Sequence, residues 1–235
     1  MEVGFDEYAK NYDAALDQGL SATGENKDYF AQRRVAWLAG CLEKIGFRPS
    51  RVMDYGCGTG SATNFFLELL RPDFFVGVDT SEKSLELARQ SFGGLRSEFL
   101  LNTEHRADGQ VDLAFCNGVF HHITPEERDQ ALGYISRCLR PGGLFSFWEN
   151  NPWNPGTRYV MSRIPFDRDA VTIAPTEARK LLRKNGFEIL WTDFLFFFPN
   201  FLRSLRWMEP ALVGMPLGGQ YQVLCRKPAK LDQGL

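Results

Sequence analysis

Two acidic residues and three glycines in the first third of the chain have the types and spacing to bind a nucleoside. Asp54 precedes Gly56, Gly58 and Gly60, and Asp79 follows the last glycine by nineteen residues. Glycines lack a Cβ atom, so the backbone can turn sharply and a ligand can approach closely. An acid at the end of the next strand can accept hydrogen bonds from both ribose hydroxyls. The glycines alone are weak evidence, and Asp79 makes nucleoside binding the leading hypothesis.

The glycine spacing distinguishes two kinds of nucleoside cofactor. Dinucleotide enzymes use GxGxxG to place a pyrophosphate at a helix N-terminus, whereas these glycines fall as GxGxG just after Asp54. An acid beside the loop repels a diphosphate but suits a ligand that carries an ammonium group. A nicotinamide-dependent oxidoreductase is therefore the less favoured alternative.

Further segments follow in the order that one family shows. Residues 52–60 resemble motif I of the class I S-adenosylmethionine-dependent methyltransferases, and residues 111–116 resemble the fourth strand of that family. Residues 117–123 resemble the VLHHI segment of its small-molecule branch, and residues 139–145 its LxPGG turn. The resemblance covers roughly residues 50–150. It implies S-adenosylmethionine as cofactor, S-adenosylhomocysteine as product, and no metal.

The resemblance also implies a set of cofactor-binding residues at one edge of the sheet. These residues are Asp54, Gly56, Gly58, Gly60, Asp79, Thr80, Asn102, Thr103 and Asn117. Asp54 and the glycine backbone would hold the methionine end, and Asp79 would hold the ribose. Thr80 would line the adenine pocket. Asn102 and Thr103 are also candidates for contacting the adenine, although the segment that contains them matches no clear motif of the family. Asn117 would face the methionine moiety or the transferred methyl group.

Two adjacent histidines, His121 and His122, follow the fourth strand. Methyl transfer from a sulfonium is an in-line displacement, so the protein must mainly align the acceptor and remove its proton. Histidine titrates near neutral pH and is the natural base. Adjacent residues are not expected to face one pocket together, so His122 is the preferred base and His121 is expected to cap the loop or pack. By resemblance to phosphoethanolamine-type methyltransferases, Tyr8 or Tyr12 would assist His122.

A polar run follows the fifth predicted strand. Glu149, Asn150 and Asn151 either project towards the acceptor as hydrogen-bonding or basic groups, or form a polar turn between prolines. The nearby Asn-Pro-Trp sequence is not the NPPY motif of base and glutamine N-methyltransferases, because that motif follows the fourth strand. The next insertion carries charged residues that either grip an anionic acceptor or lie on the surface. These are Arg158, Arg163, Asp167 and Arg168.

Alternating helix and strand patterns predict an α/β fold whose parallel sheet is covered on both faces. Predicted helices include residues 61–70, 125–139 and 176–185, with Thr124 as a cap and Pro125 at the first helical position. The resemblance implies a doubly wound, mostly parallel seven-stranded sheet with an antiparallel C-terminal hairpin. Residues 1–45 are expected to form an N-terminal helical lid and leading helices. Residues 46–235 would form the Rossmann-like domain, with a cap insertion at about 150–175 and an amphipathic insertion at about 199–216.

Residues 199–209 are predicted to form an amphipathic helix. Its apolar face would carry Phe201, Leu202, Leu205 and Met208, with Arg203, Arg206 and Trp207 towards the other side. Such a helix covers a pocket or lies on a membrane surface. Residues 196–199 and 217–221 also resemble a subgroup of bacterial class I methyltransferases associated with glycan or lipid-linked precursor assembly. Both observations favour an amphiphilic acceptor.

Composition limits the remaining alternatives. The 235-residue chain has a formal net charge of -2, which gives no general attraction to nucleic acid and disfavours a nucleic-acid methyltransferase. Its five cysteines are scattered without a CxxC pair, so disulfides and a zinc site are not indicated and a cytoplasmic location is expected. The N-terminal residues lack the apolar core of a signal peptide, and no apolar stretch is long enough to span a bilayer.

The sequence therefore predicts a methyltransferase that uses S-adenosylmethionine and acts on a small molecule or a lipid or glycan precursor. O-methylation is favoured over N- or C-methylation. A non-catalytic regulator that binds the same cofactor is the alternative from another class. The acceptor and the oligomeric state stay open.

Overall fold

The computed structural model describes residues 16, 18–167 and 170–229 of the chain. In this part of the chain one seven-stranded sheet has the order β3-β2-β1-β4-β5-β7-β6. The strands are β1 (Arg51–Tyr55), β2 (Phe74–Asp79), β3 (Ser97–Leu101), β4 (Val111–Asn117), β5 (Leu139–Asn150), β6 (Glu188–Leu195) and β7 (Gln220–Arg226). All run parallel except β7, which is antiparallel to both β5 and β6. The predicted fold class is confirmed.

The described helices connect these strands. They are α1 (Lys27–Lys44), α2 (Thr63–Leu69), α3 (Glu82–Phe92), α4 (Arg128–Cys138), α5 (Pro155–Arg163), α6 (Pro175–Lys184) and α7 (Glu209–Leu212), with 3-10 segments at Ser21–Thr23 and Asn200–Met208. Three of them begin at a side-chain cap. Asn26, Ser81 and Asn154 each accept a hydrogen bond from a backbone N–H in the first turn of α1, α3 and α5. Such caps satisfy donors that the helix itself leaves unpaired.

Apolar side chains fill a core on each face of the sheet. On one face, α1, α2 and α3 pack through residues such as Val35, Phe66 and Leu85. On the other face, α4 and α6 pack through residues such as Leu132 and Leu182. Strands buried on both faces are expected to be almost wholly apolar, and β2 and β4 have this character.

This arrangement places a crevice between β1 and β4. The two strands are neighbours, yet the helix after β1 covers one face of the sheet and the helix after β4 covers the other. Ligands of open α/β sheets bind where the strand order reverses in this way, at the carboxyl ends of the strands. The carboxyl ends here carry Asp54, Asn117 and Asn150.

Two local predictions are wrong. The helix predicted over residues 125–139 begins at Arg128, because the N–H groups of Glu127 and Arg128 both donate to the Thr124 carbonyl and close a turn first. Residues 199–209 do not form one α-helix either. They form a 3-10 segment with non-helical backbone at Leu202, followed by α7. None of the described helices is long and apolar enough to cross a bilayer.

The predicted division into a lid over residues 1–45 and a domain over residues 46–235 stays a prediction. Residues 1–15 and 17 lie outside the described part of the chain, and so do 168, 169 and 230–235. Tyr8 and Tyr12, the nominated partners of His122, are therefore among the residues that are not described, as is Arg168.

Candidate active site

A cavity of about 310 Å³ lies at the carboxyl ends of β1 and β4. Its floor is formed by the glycine-rich turn after β1 and the loop after β4. Its rim is formed by Leu16, Leu20, α1, α5 and residues 196–199. Among the predicted site residues, those that line the cavity are Asp54, Gly56, Gly58, Asn117, His121 and His122.

The three glycines of the turn have different roles. All three have positive φ, at 76°, 53° and 77° for Gly56, Gly58 and Gly60. A Cβ atom on Gly56 would lie 2.2 Å from a Val119 methyl carbon, so this glycine allows the turn to pack on the loop after β4. A Cβ atom on Gly58 would meet nothing within 4 Å. Gly58 therefore presents bare backbone to open space on the cavity wall, as close binding of a ligand requires.

Packing requires a glycine at position 60, and its predicted contact with the cofactor stays a prediction. A Cβ atom there would come within 3.0 to 3.2 Å of Phe92, Ala88 and Phe99. The turn is also bonded to β2, because the N–H of Gly56 donates to the Val78 carbonyl over 2.7 Å. The turn is thereby held against β2 and α3, with Gly58 left facing the cavity.

Asp79 organises the same turn from the end of β2. Its Oδ2 accepts the Gly58 N–H over 2.8 Å, and its Oδ1 accepts the Ser81 N–H over 2.9 Å. A carboxylate oxygen can accept more than one hydrogen bond, so these two contacts do not by themselves prevent a ribose hydroxyl from binding. Asp79 is not among the residues that line the cavity, and neither are Gly60, Thr80, Asn102 and Thr103. Their ribose and adenine roles stay predictions.

Asp54 and Asn117 make the cavity complementary to a cation that donates hydrogen bonds. Asp54 is only 4% exposed, and burial together with the nearby Asp79 raises its pKa to about 7 although Arg34 opposes the shift. The Oδ1 atom of Asn117 is buried and has no hydrogen-bond partner among the described residues. Such groups are costly without a ligand. An amino group such as that of S-adenosylmethionine fits both.

Four side chains form a histidine–carboxylate cluster, His121, His122, Glu149 and Asp167, and all but Glu149 line the cavity. His121 Nδ1 lies 2.6 Å from Glu149 Oε2, and its Nε2 lies 3.4 Å from Asp167 Oδ1. His122 Nε2 lies 3.2 Å from the same Asp167 oxygen. The expectation that adjacent histidines would not face one pocket is wrong, because both lie in a turn, where neighbouring side chains do not alternate as they do in a strand.

The carboxylates of this cluster determine the protonation state of His121. Burial lowers the pKa of His121, but Glu149 and Asp167 outweigh it and raise that pKa to about 10. Burial likewise raises the pKa of Asp167, yet its hydrogen bonds to both histidines bring it below the ordinary value. His121 is therefore an imidazolium that donates one ring N–H to each carboxylate. It has no free lone pair to act as a base.

The polar run after β5 is more structural than the sequence indicated. Glu149 is buried behind His121 and does not line the cavity, so it contacts the histidine rather than an acceptor. Asn151 is also buried, and its amide donates to the carbonyls of Pro216 and Gly218. Asn150 does line the cavity, where its Oδ1 accepts a hydrogen bond from Gln220.

Two residues of the site were not identified from the sequence. Arg34 lines the cavity from α1 and donates from Nε to Gln220 Oε1 over 2.8 Å. Arg34 lies four residues from Phe30 and from Leu38, which are both buried. A charged residue within the apolar stripe of a helix could have identified Arg34 as a candidate site residue from the sequence. Asp167 was noted only as a charge of the insertion. No local pattern joins it to histidines that are some 45 residues away.

The expectation that no metal is required stays a prediction. Ligand atoms of His121, His122 and Asp167 all lie within 4.8 Å of one another, a spacing that a metal ion can bridge. Metal ligands must be deprotonated, so a metal ion could bind here only if His121 lost a proton.

Known proteins share this region and this fold. Residues 53–145 match a family described as a methyltransferase domain. The chain is 27% identical over 145 residues to the cyclopropane-fatty-acyl-phospholipid synthase of Escherichia coli K12, covering 61% of this chain and 37% of that protein. It is 30% identical over 135 residues to the malonyl-acyl-carrier-protein O-methyltransferase of Methylococcus capsulatus, covering 55% and 48%. The match thus spans less than half the length of either relative.

The fold is also similar to that of solved structures. A SAM dependent methyltransferase from Archaeoglobus fulgidus superimposes with a TM-score of 0.60 at 16% identity, covering 82% of this chain and 94% of that one. At this identity the likeness concerns the fold alone.

Proposed function

We propose that this chain, in which residues 53–145 match a methyltransferase domain, transfers a methyl group from S-adenosylmethionine to a hydroxyl oxygen of a small amphiphilic acceptor. The observation that carries this proposal is one cavity with two complementary walls. Asp54, Gly58 and Asn117 form a wall suited to the amino acid end of the cofactor. His122, backed by Asp167, forms a wall suited to removing a proton.

The chain's own residues would hold the cofactor at one end of the cavity. Asp54 and Asn117 would accept hydrogen bonds from its amino group, and the bare backbone at Gly58 would let its carboxylate approach. Asp79 would accept hydrogen bonds from the sugar hydroxyls. When bound, the sulfonium supplies the methyl group, as its C–S bond breaks with the electron pair left on sulfur and a C–O bond forms.

His122 would take the acceptor's proton. Asp167 would accept a hydrogen bond from Nε2–H of His122 and so orient the ring, and the other ring nitrogen would take the proton of the attacking hydroxyl. The His121 imidazolium holds Asp167 in place, and Glu149 holds His121. His122 is thus the catalytic residue of this proposal, whereas His121, Glu149 and Asp167 position it.

The cavity walls indicate an acceptor with an apolar part. The rim carries apolar side chains from α1, α5 and the segment after β6. They include Phe30, Val160, Ile164, Phe166, Phe196 and Phe197. The two curated relatives are named for a fatty-acyl-phospholipid and for a malonyl group on acyl-carrier protein, and both names denote acyl compounds. These observations support an amphiphilic acceptor.

The experiment is an acceptor screen that measures released S-adenosylhomocysteine and includes alcohols and amines of increasing chain length. With the best acceptor, we expect His122→Ala to lower kcat about 10²- to 10⁴-fold, the contribution of a general base. Donor affinity, measured by calorimetry, should change little. His105→Ala is the matched control, because His105 contacts Tyr134 and does not line the cavity.

Two results would contradict the proposal. If His122→Ala keeps full turnover, the assignment of His122 as the group that removes the proton is wrong. If the wild-type protein binds the donor but releases no S-adenosylhomocysteine with any acceptor, a cofactor-binding regulator becomes the better explanation.

A further inference from the structure

Large apolar side chains are exposed on two segments that adjoin each other. One segment comprises residues 153–163 and carries Trp153 and Tyr159, which are 46% and 55% exposed. The other comprises residues 200–217, in which Phe201 and Trp207 are 79% and 78% exposed. Soluble domains rarely expose several aromatic side chains so close together without a function.

Hydrogen bonds join the two segments. Asn154 donates from its side chain to the Leu217 carbonyl over 2.6 Å, and the Thr157 hydroxyl donates to the Gly219 carbonyl over 2.7 Å. Leu217 is itself 55% exposed. The two segments therefore form a continuous rim, called here the aromatic rim.

The charge of the aromatic rim contrasts with that of the whole chain. The chain has more acidic than basic residues, with a formal net charge of -2. Residues 150–166 contain no acid, and residues 196–219 contain one, Glu209, which is buried. Glu209 accepts hydrogen bonds from backbone N–H groups of Phe197 and Phe198 and pairs with Arg33. The exposed charges of the rim are arginines: Arg158, Arg163 and Arg203.

The aromatic rim is also the outer side of the cavity wall. Residues of the same two segments face inwards, where Thr157, Val160 and Arg206 line the cavity. Arg206 lies over the Tyr29 ring and pairs with Glu25 over 2.8 Å, which joins the 3-10 segment to the N-terminal side of the cavity. A surface bound by the rim would therefore lie beside the cavity.

We propose that the aromatic rim binds the surface of an anionic lipid bilayer. Tryptophan and tyrosine favour the interface between headgroups and acyl chains, and arginines without neighbouring acids are attracted to anionic headgroups. Apolar area and positive charge on one face are the combination that such a surface recognises. Entry of the acceptor from the bilayer rests on the proposed function, but binding to the bilayer does not.

The test is sedimentation of the full-length protein with vesicles of phosphatidylcholine containing about 30% phosphatidylserine, without donor or acceptor. We expect binding that falls with added salt and is much weaker on pure phosphatidylcholine. Arg158→Gln with Arg203→Gln should weaken binding roughly 25-fold, at about fivefold for each arginine near an anionic surface. Phe201→Ser with Trp207→Ser should weaken it at least tenfold, because large apolar side chains are lost from the interface.

The matched control is Leu95→Ser with Arg96→Gln. These adjacent residues precede β3, and both are exposed, Leu95 fully so. The control should bind vesicles as the wild type does, and all variants should keep wild-type donor affinity and melting temperature. Three results would overturn the proposal: wild-type protein that stays in the supernatant, rim variants that bind unchanged, or a dimer that rim substitutions disperse. The last result would assign the rim to a second copy of the chain.

Discussion

Replacing Asp54 by asparagine should stabilise the protein without ligand while it weakens donor binding. Asp54 is buried on the cavity wall, and its pKa is raised to about 7 from an ordinary value of 3.8. The folded protein therefore binds this proton more tightly than the unfolded chain does. It follows that the free energy of unfolding decreases as pH rises from about 4 to about 7.

The difference between the two pKa values sets the size of the effect. At 1.36 kcal/mol for each pKa unit, the loss in the free energy of unfolding is at most about 4 kcal/mol. Asparagine has nearly the same shape and no charge at any pH. Asp54→Asn should thus unfold at the same urea concentration as the wild type near pH 4, and at a clearly higher concentration at pH 8. Donor affinity should fall about 10- to 150-fold, as expected when a charged hydrogen-bond partner is lost.

Asp112→Asn is the matched control. Asp112 accepts the N–H groups of Ser50 and Arg51 and a hydrogen bond from Arg140, and these contacts lower its pKa although burial opposes them. It lies near the start of β4, away from the carboxyl ends of the strands. This variant should be less stable at pH 8 and bind the donor normally. The reasoning is refuted if Asp54→Asn is no more stable than the wild type at pH 8, or if it binds the donor as tightly.

The remaining predictions concern the cluster, the glycine turn and the metal. Because the pKa of His121 is raised, the protein should lose stability as pH rises from 6.5 towards about 10. Glu149→Gln should reduce this loss and lower the His121 pKa measured by NMR. An unchanged His121 titration would contradict the ion pair with Glu149. Gly58→Ala should lower the free energy of unfolding by about 1 to 2 kcal/mol because of its positive φ, and should lower donor affinity at least tenfold. Gly60→Ala should lower stability more, because a Cβ atom there lacks space. Equal donor affinity in Gly58→Ala and wild type would refute the ligand's close approach to Gly58. EDTA should leave turnover unchanged, and a loss restored by one divalent metal would show that a metal is required.

The geometry of the glycine turn and of the strand ends beside it could be predicted because its determinants are local. Positive φ at Gly56, Gly58 and Gly60 is a property of a single turn, and these residues are adjacent in sequence. Parallel strands have their carboxyl ends at one edge, so an acid ending β1 and an amide ending β4 had to meet there. The charge pattern around GxGxG was sufficient to favour a cationic ligand over a diphosphate.

The acceptor half depends on contacts between distant residues. Asp167 belongs to an insertion whose charges have the pattern of an ordinary surface, and only the folded chain brings it to His122. Glu149 follows the buried Trp148 in a strand, and its pairing with His121 depends on the course of another loop. The 3-10 geometry of Asn200–Met208 likewise reflects tertiary contacts, since Arg206 donates to the Phe198 carbonyl and Asn200 to the Gly24 carbonyl.

The central claim is that the turn after β1 and the end of β4 together bind S-adenosylmethionine. A crystal structure with S-adenosylhomocysteine tests it most directly. We expect the ligand's amino group against Asp54 and the Asn117 Oδ1 atom, its ribose hydroxyls on Asp79, and its sulfur facing His122. A ligand bound elsewhere, with no contact to Asp79, would contradict the account.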